Sequence, residues 1–386
     1  MMFKFKKIMK KLVKGMVLIL IFPLTLLIFR AFKLVGNFKV AIIRADRLGH
    51  LALNTDLFFR RIQLGLIPCE CSYYLIAPSQ TSKLVANRYL LKMFKRFAKE
   101  KRNVRIITSS IAYFFTITMK RYIKKYNYIH ELDYKSNEKE FSISNQSIEF
   151  TNEEIVFGNA ELQRLGIHDN KQKIVCIYAR DSTYLNSVDD ITNWKYHDYR
   201  DMDVNTYIMS IKYLISKGYK VIRIGSVVDE AVWFIDKSFY DYSVSGNRTE
   251  FLDLYLVSIS EFIIGSSSGA TDIAEVFKTP FLAVNFAPCI GAPLGKYDLY
   301  IPKKYVDMNN NENIIPFKDI LKIDSDILYQ GNLLEKIHGI TYLDNTPEEI
   351  LVATVEMQER ISGSFLENAN DKNLQSKYFN EFWSIN

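Results

Sequence analysis

Short apolar runs alternate with segments of helical spacing from Lys39 to about Pro302, and that rhythm predicts an α/β chain. The runs Val40 to Ile43, Tyr73 to Ile76 and Val104 to Ile107 predict three buried strands. Between and after them, Leu51 to Leu64, Ser82 to Lys99 and Ile111 to Lys124 have helical spacing, and Tyr128 to His130 is a short fourth strand. The stretch Asp133 to Ser147, rich in serine and asparagine, breaks the rhythm and predicts a linker. Thr151 and Glu154 then stand as a capping box for a helix ending near Leu165.

A second alternation follows. Ile174 to Ala179 predicts a strand, Arg180 to Asp203 a long polar loop, Val204 to Ser216 a helix, and Tyr219 to Ile224 a strand ending at Gly225 and Ser226. Further units are expected at Val228 to Phe234 and Phe251 to Val257. The clearest grammar lies between Phe262 and Asn285: an apolar run, a turn of Gly265, Ser266, Ser267, Ser268 and Gly269, a helical pattern, and a second apolar run after Pro280. Past Pro302 a polar loop is expected at Asn309 to Asn313, with helices from Pro347 to Phe365 and Leu374 to Trp383. Two parallel α/β units place ligands in the cleft between them, at the carboxyl ends of strands. The expected boundaries are residues 1–37, 38–150 and 151–386.

The first of these is not part of either unit. Met16 to Phe29 is continuously apolar apart from Pro23 and Thr25, and is shorter than the roughly twenty residues a comfortable span needs. Arg30 and Lys33 follow where a signal peptide would show small residues, so an uncleaved membrane anchor is expected, with a cleaved signal peptide as the alternative. Basic residues at both ends favour a re-entrant segment on the cytoplasmic face over a single span.

Charge sharpens that picture. The net charge of +7 over 386 residues hides roughly +22 on residues 1–125 and roughly −15 on the remainder. One half of the chain therefore seeks an anionic surface. No nucleic-acid-binding module is recognisable and the basic segments flank an apolar one, so an anionic membrane leaflet, not nucleic acid, is the expected partner. The four cysteines lack disulfide or zinc spacing and are read as structural.

Candidate chemistry sits where strands end. The serine-glycine turn allows backbone N–H groups to approach an anion, and phosphate or diphosphate is its natural guest. The alternative is an ordinary strand-to-helix loop whose Ser or Thr caps the helix. After the first strand, Arg44, Asp46, Arg47, Gly49 and His50 gather two guanidiniums and an imidazole around a turn. Neutral His50 can take a proton from an acceptor hydroxyl, or can simply pack or cap. Arg180 with Asp181, and Arg200 after Tyr199, are candidates for neutralising a departing diphosphate, although single arginines commonly belong to surface ion pairs. Asp201-Met202-Asp203 spells D-x-D, too short a match to claim a metal, and no metal or cofactor is expected.

R-A-D-R-L-G-H-L, and S-G-A-T-D-I-A-E-V-F-K-T-P against T-G-L-S-H-L-A-A-A-L-x-x-P, resemble the heptosyltransferase-type glycosyltransferases. The central block from Y-A-R-D-S-T-Y-L to G-Y-K-V-I-R-I-G-S is also similar to glycosyltransferases of bacterial surface-polysaccharide clusters and to the arginine loop of fucosyltransferase-like enzymes. The resemblance implies a GT-B fold, two Rossmann-like domains facing across a cleft, with a nucleotide-sugar donor, inverting transfer and a lipid-linked or polysaccharide acceptor. It places Ser268, Gly269 and Thr271 on donor-binding positions. Two departures stand out: His50 replaces the aspartate expected to act as base, and Asp272 replaces a histidine of the donor site. The resulting expectation has His50, Arg180 and Arg200 catalytic. Arg180, Asp181, Gly225, Ser266, Ser267, Ser268, Gly269, Thr271 and Asp272 bind the donor, and Arg44, Asp46, Arg47 and Gly49 bind the acceptor. The rivals are a catalytically inactive nucleotide- or sugar-binding module on a membrane scaffold, and a nucleic-acid binder using Lys83 to Lys125.

Overall fold

The computed structural model describes Leu27 and residues 36–132, 138–167, 172–181, 183, 194–269, 271–291, 295 and 297–383. The expected anchor, Met16 to Phe29, lies outside them except for Leu27. Among the described residues no helix is long and apolar enough to cross a membrane. The chain divides into two compact units, Met1–Glu149 and Phe150–Asn386.

Unit 1 is built on three parallel strands, β1 (Phe38–Ile42), β2 (Ser72–Ala77) and β3 (Val104–Thr108), in the order β1-β2-β3. The expected strand at Tyr128 to His130 is reduced to a single parallel bridge between Val40 and Ile129. Helices α1 (Thr55–Gln63), α2 (Arg88–Glu100) and α3 (Ser110–Lys125) supply the layers, and a π-helical turn, His50–Asn54, leads into α1. The helix expected from Ser82 begins only at Arg88. The Ala86 N–H is taken by the Ala45 carbonyl at 2.7 Å, and the Asn87 side chain caps Leu90 N–H at 2.8 Å, so residues before Asn87 are held in a turn.

The linker expected at Asp133 to Ser147 is also corrected: α4 (Glu138–Ile143) lies within it, and residues 133–137 are outside the described set. The cause is a fully buried arginine. Arg60 pairs with Asp56, donates to Ser144 Oγ at 3.1 Å and lies 4.7 Å from the Phe141 ring centre, while Arg61 forks onto Glu140 at 2.9 and 3.2 Å. A buried guanidinium demands partners, and the polar stretch supplies them.

Unit 2 opens with α5 (Asn152–Arg164), whose Thr151–Glu154 capping box is present in both directions. Thr151→Ala should destabilise this unit by about 1 kcal/mol, read as a lower urea midpoint with unchanged slope. A six-stranded parallel sheet follows: β4 (Ile174–Tyr178), β5 (Lys220–Arg223), β6 (Phe239–Asp241), β7 (Phe262–Gly265), β8 (Phe281–Phe286) and β9 (Leu299–Pro302). Its order is β6-β5-β4-β7-β8-β9, the 3-2-1-4-5-6 arrangement of a doubly wound sheet. Helices α6 (Ile208–Ser216), α7 (Glu250–Ile259) and α8 (Asp272–Phe277) connect its strands.

Beyond the sheet come β10 (Lys304–Asp307), β11 (Asn310–Ile314), α9 (Phe317–Ile320), α10 (Ser325–Leu328), α11 (Gly331–His338), β12 (Ile340–Leu343), α12 (Pro347–Ser362) and α13 (Ala369–Trp383). Helix α12 packs back on α6, with Tyr213 donating to Gln358 Oε1 at 2.9 Å and Thr354 to Ser210 Oγ at 3.0 Å. Two expectations fail in this unit. Asn309 to Asn313 is not a free loop but the turn and start of β11, in an antiparallel sheet ordered β11-β10-β12. Val228 to Phe234 forms no regular element: its backbone is bonded by the side chains of Arg223, Asp241 and Asn205 instead, and the third strand is Phe239–Asp241.

Candidate functional site

In unit 2 the chain leaves β4 toward β5 on one side and later returns to place β7 on the other. Doubly wound sheets bind ligands at such a reversal, outside the carboxyl ends of the flanking strands, which here are β4 and β7. Two of the sequence-predicted segments emerge there: Arg180 after β4, and the serine-glycine turn after β7.

The turn is built from within. Thr271 Oγ1 donates to the Ser268 carbonyl at 2.7 Å and accepts from Ser268 N–H at 3.2 Å, while buried Ser266 Oγ accepts the Arg180 N–H at 3.1 Å. A Cβ on Gly265 would stand 2.7 Å from Thr271 Cγ2 and 3.2 Å from the Tyr178 carbonyl oxygen, so this position requires glycine. Ser266 and Thr271 thus shape the corner, and half-buried Ser267, Ser268 and Gly269 form its rim. Tyr178, which periodicity reads as a plain strand residue, bonds the Ser268 side chain.

Positive potential at the turn comes from side chains more than from the helix that follows it. Helix α8 has six residues and carries Asp272 and Glu275 in its first turn, so its dipole adds little. Two arginines supply the charge. Arg180 is buried; its Nη1 donates to the His197 carbonyl at 2.8 Å and pairs with Asp201, while its buried Nη2 has no hydrogen-bond partner among the described residues. Half-buried Arg200 lies 5.8 Å from the Tyr199 ring centre, and its buried Nε and the Tyr199 hydroxyl have no hydrogen-bond partner among the described residues. Burial, and then the charge of Arg180, lower the Arg200 pKa, with Asp272 and Asp201 opposing. Two guanidiniums that repel each other, one buried and one half-buried, each with a donor unpartnered among the described residues, have the chemistry to receive an anion.

The carboxylates around them titrate high. Burial pushes Asp272 up to about 7 against the pull of Arg200, and pushes Asp201 up to about 6 against Arg180. Lys303, missed by sequence reasoning, is buried between the Asp201 carbonyl and Asp344 Oδ1, at 2.6 Å from each. A lysine following a proline in a strand-like run carries no signal of such a role. Asp201 and Asp203 do not share a site: Asp203 accepts Asn205 N–H at 2.8 Å as a cap, and among the described residues no group of three or more His, Cys, Asp or Glu is placed to hold a metal.

The remaining donor-side residues sit on neighbouring loops. Asp181 accepts from Thr183 N–H at 3.0 Å and Asp229 N–H at 3.2 Å, tying the loops after β4 and β5. Gly225 admits Val228, whose Cγ1 would lie 2.9 Å from an added Cβ.

In unit 1, His50 begins the π-helical turn, a geometry frequent at functional sites. Burial, followed by the charge of Arg44, holds its pKa below the usual 6.5, so the imidazole is neutral near pH 7. A side-chain bond to Asn54 orients the ring, and buried Asn54 is fixed in turn by donating to the Leu132 carbonyl at 3.3 Å. A neutral imidazole held at one nitrogen leaves the other to accept a proton. Asn54 and Leu132 were not expected from sequence, because they lie four and eighty-two positions beyond His50. Leu132 also lines a cavity of about 490 Å³ with Arg61, His130 and Glu131. Arg44 is exposed, and Asp46, Arg47 and Gly49 are half-buried in the same loop. A cavity of about 340 Å³ in unit 2, lined by Tyr297, Asp298 and Arg360 among others, involves none of these residues.

No protein-family profile matches the chain, and no curated protein matches it. Solved structures do resemble it. A glycosyl transferase family 9 protein from Veillonella parvula is 10% identical, with 84% of this chain and 97% of that one covered and a TM-score of 0.48. The Escherichia coli ADP-heptose LPS heptosyltransferase II is 13% identical, covering 83% and 99%, with a TM-score of 0.43. The dodecameric iron-containing heptosyltransferase TibC, solved with ADP-D-beta-D-heptose, is 12% identical, covering 84% and 77%, with a TM-score of 0.40.

Proposed function

We propose that this protein is a glycosyltransferase of the GT-B type that moves a sugar from a nucleotide-sugar donor to a lipid-linked or polysaccharide acceptor in bacterial cell-surface polysaccharide synthesis, with inversion and without a metal. The observation that carries the reading is the pair of arginines at the strand-order reversal of unit 2, buried Arg180 and half-buried Arg200, each with a buried donor atom left without a partner among the described residues. In this reading the diphosphate of the donor occupies that corner, bounded by Ser267, Ser268 and Gly269, with Asp181, Gly225 and Asp272 near the rest of the nucleotide sugar. Arg44, Asp46, Arg47 and Gly49 hold the acceptor beside His50. His50 takes the proton of the acceptor hydroxyl, the oxygen attacks the anomeric carbon, and the bond from that carbon to the diphosphate oxygen breaks. The nucleoside diphosphate leaves with the electron pair, and the arginines neutralise the added charge. The basic half of the chain, with its apolar N-terminal segment, works against the anionic cytoplasmic face of the inner membrane.

The test is direct binding of a panel of nucleotide sugars by calorimetry between pH 6 and pH 8. Their diphosphate diesters do not titrate in that range, so any slope belongs to the protein. Asp272, at about 7, repels the donor only when ionised, so affinity should rise as pH falls through 7. Asp272→Asn should remove the part of the slope centred near 7 and leave only what Asp201, at about 6, contributes toward the acid end. Absence of binding by every nucleotide sugar overturns the function. Binding without transfer to any acceptor would instead support the inactive sugar-binding scaffold.

A further inference from the structure

Helix α3 packs on the sheet of unit 1 through Tyr113, which meets Val40 and Ile76, with Ala112 and Tyr74 at the margin. Its opposite face leaves large apolar side chains in solvent: Ile111 is 85% exposed, Phe114 59% and Ile117 41%. The spacing of three makes them one stripe, and exposed Arg121 and Lys125 continue it toward the end of the helix. The sheet extends the same surface. Arg105 and Ile107 are paired in register with Tyr74 and Ile76, so their side chains leave the sheet on the α3 side, and both are exposed. Edge strand β3 therefore adds one more apolar and one more basic side chain beside the helix.

A soluble surface seldom exposes such a contiguous apolar patch without a partner. We propose that this face of unit 1, centred on Phe114 with Ile111, Ile117 and Ile107, docks on an anionic lipid bilayer, its apolar side chains entering the headgroup boundary and Arg105, Arg121 and Lys125 meeting lipid phosphates. Charge complementarity selects this occupant: the patch lies in the half of the chain that carries roughly +22, and its flanking groups are arginine and lysine. The inference rests on the membrane reading above and adds the contact surface that orients unit 1 on the leaflet, independent of the N-terminal segment.

The test uses the full-length chain with Cys69→Ser, which removes the exposed thiol, and Phe114→Cys carrying an environment-sensitive fluorophore; a second protein carries the label at exposed Val352 of unit 2. Vesicles of phosphatidylcholine alone and with phosphatidylglycerol are added, and sedimentation is followed in parallel. The expected result is a blue shift of the position-114 probe with anionic vesicles, quenching by lipid-borne quenchers, and no shift at position 352. In the unlabelled chain, Ile111→Ser with Phe114→Ser and Ile117→Ser should lower the partition coefficient at least about tenfold. Sedimentation without any change at position 114 overturns the docking face and leaves the membrane reading intact. Failure of the wild type to sediment overturns both. A probe already blue-shifted before vesicles are added would mean that a second copy or another segment of the chain covers the face, and would also overturn it.

Discussion

Arg180→Ala should lower kcat/KM for sugar transfer by about 10²- to 10³-fold, equivalent to about 2.7–4 kcal/mol, the range found when one charge-stabilising donor is removed from a reacting centre. Buried Arg180 has an Nη2 without a partner among the described residues and shares its Nη1 with the His197 carbonyl and Asp201. In the proposed reaction its loss removes a charge from the leaving diphosphate, and Asp201 loses its ion-pair partner while Lys303 stays nearby. Because Asp201 already sits at about 6, it can shed the resulting strain by taking up a proton, so the fold should survive and donor affinity should fall with kcat. Arg180→Lys should recover little, since an ammonium cannot serve the carbonyl, the carboxylate and the ligand in one plane. Arg200→Gln separates chemistry from structure: its guanidinium faces the Tyr199 ring and is repelled by Arg180, so its removal should cost donor binding while leaving thermal unfolding unchanged. Wild-type turnover in both variants would show that the arginines serve only the fold.

His50→Ala should reduce turnover by about 10²- to 10⁴-fold, the contribution of a positioned general base, while nucleotide-sugar affinity stays at the wild-type value. The pH profile makes the assignment specific. A base must be unprotonated to act, and burial with Arg44 lowers the His50 pKa below 6.5, so the acid limb of kcat/KM should lie below that value. Activity is lost as pH falls through that limb, and in His50→Ala the limb should vanish from whatever rate remains. Asn54→Ala should leave the imidazole in place but unaligned, lowering kcat more than it raises KM. Full turnover in His50→Ala, or an unchanged acid limb, would move the base to another residue.

Much of the secondary structure was legible because its causes are local. A capping box needs only Thr151 and Glu154, and the buried strands show in runs such as Val175 to Ile177 and Ile263 to Ile264. Elements failed where a distant partner decided the outcome. Residues 138–147 are polar and resemble a linker, yet Glu140 and Ser144 are buried because Arg60 and Arg61 lie beneath them. Val228 to Phe234 is apolar enough to suggest a regular unit, yet the side chains of Arg223, Asp241 and Asn205 take its backbone groups one at a time.

Composition and periodicity by themselves determined an α/β chain with a strongly basic front half, a glycine-serine corner after a buried strand, and arginines at strand ends. Those properties depend on neighbours in the chain, where backbone preference and side-chain spacing act. Only the tertiary structure decided that β4 and β7 are adjacent at a reversal of strand order, that Arg180 and Asp272 both act on Arg200, and that Asn54 reaches both His50 and the Leu132 carbonyl. Strand order is a property of the whole packed sheet, and with it come the desolvation that raises Asp272 to about 7 and the donors of Arg180 and Arg200 left unpartnered among the described residues.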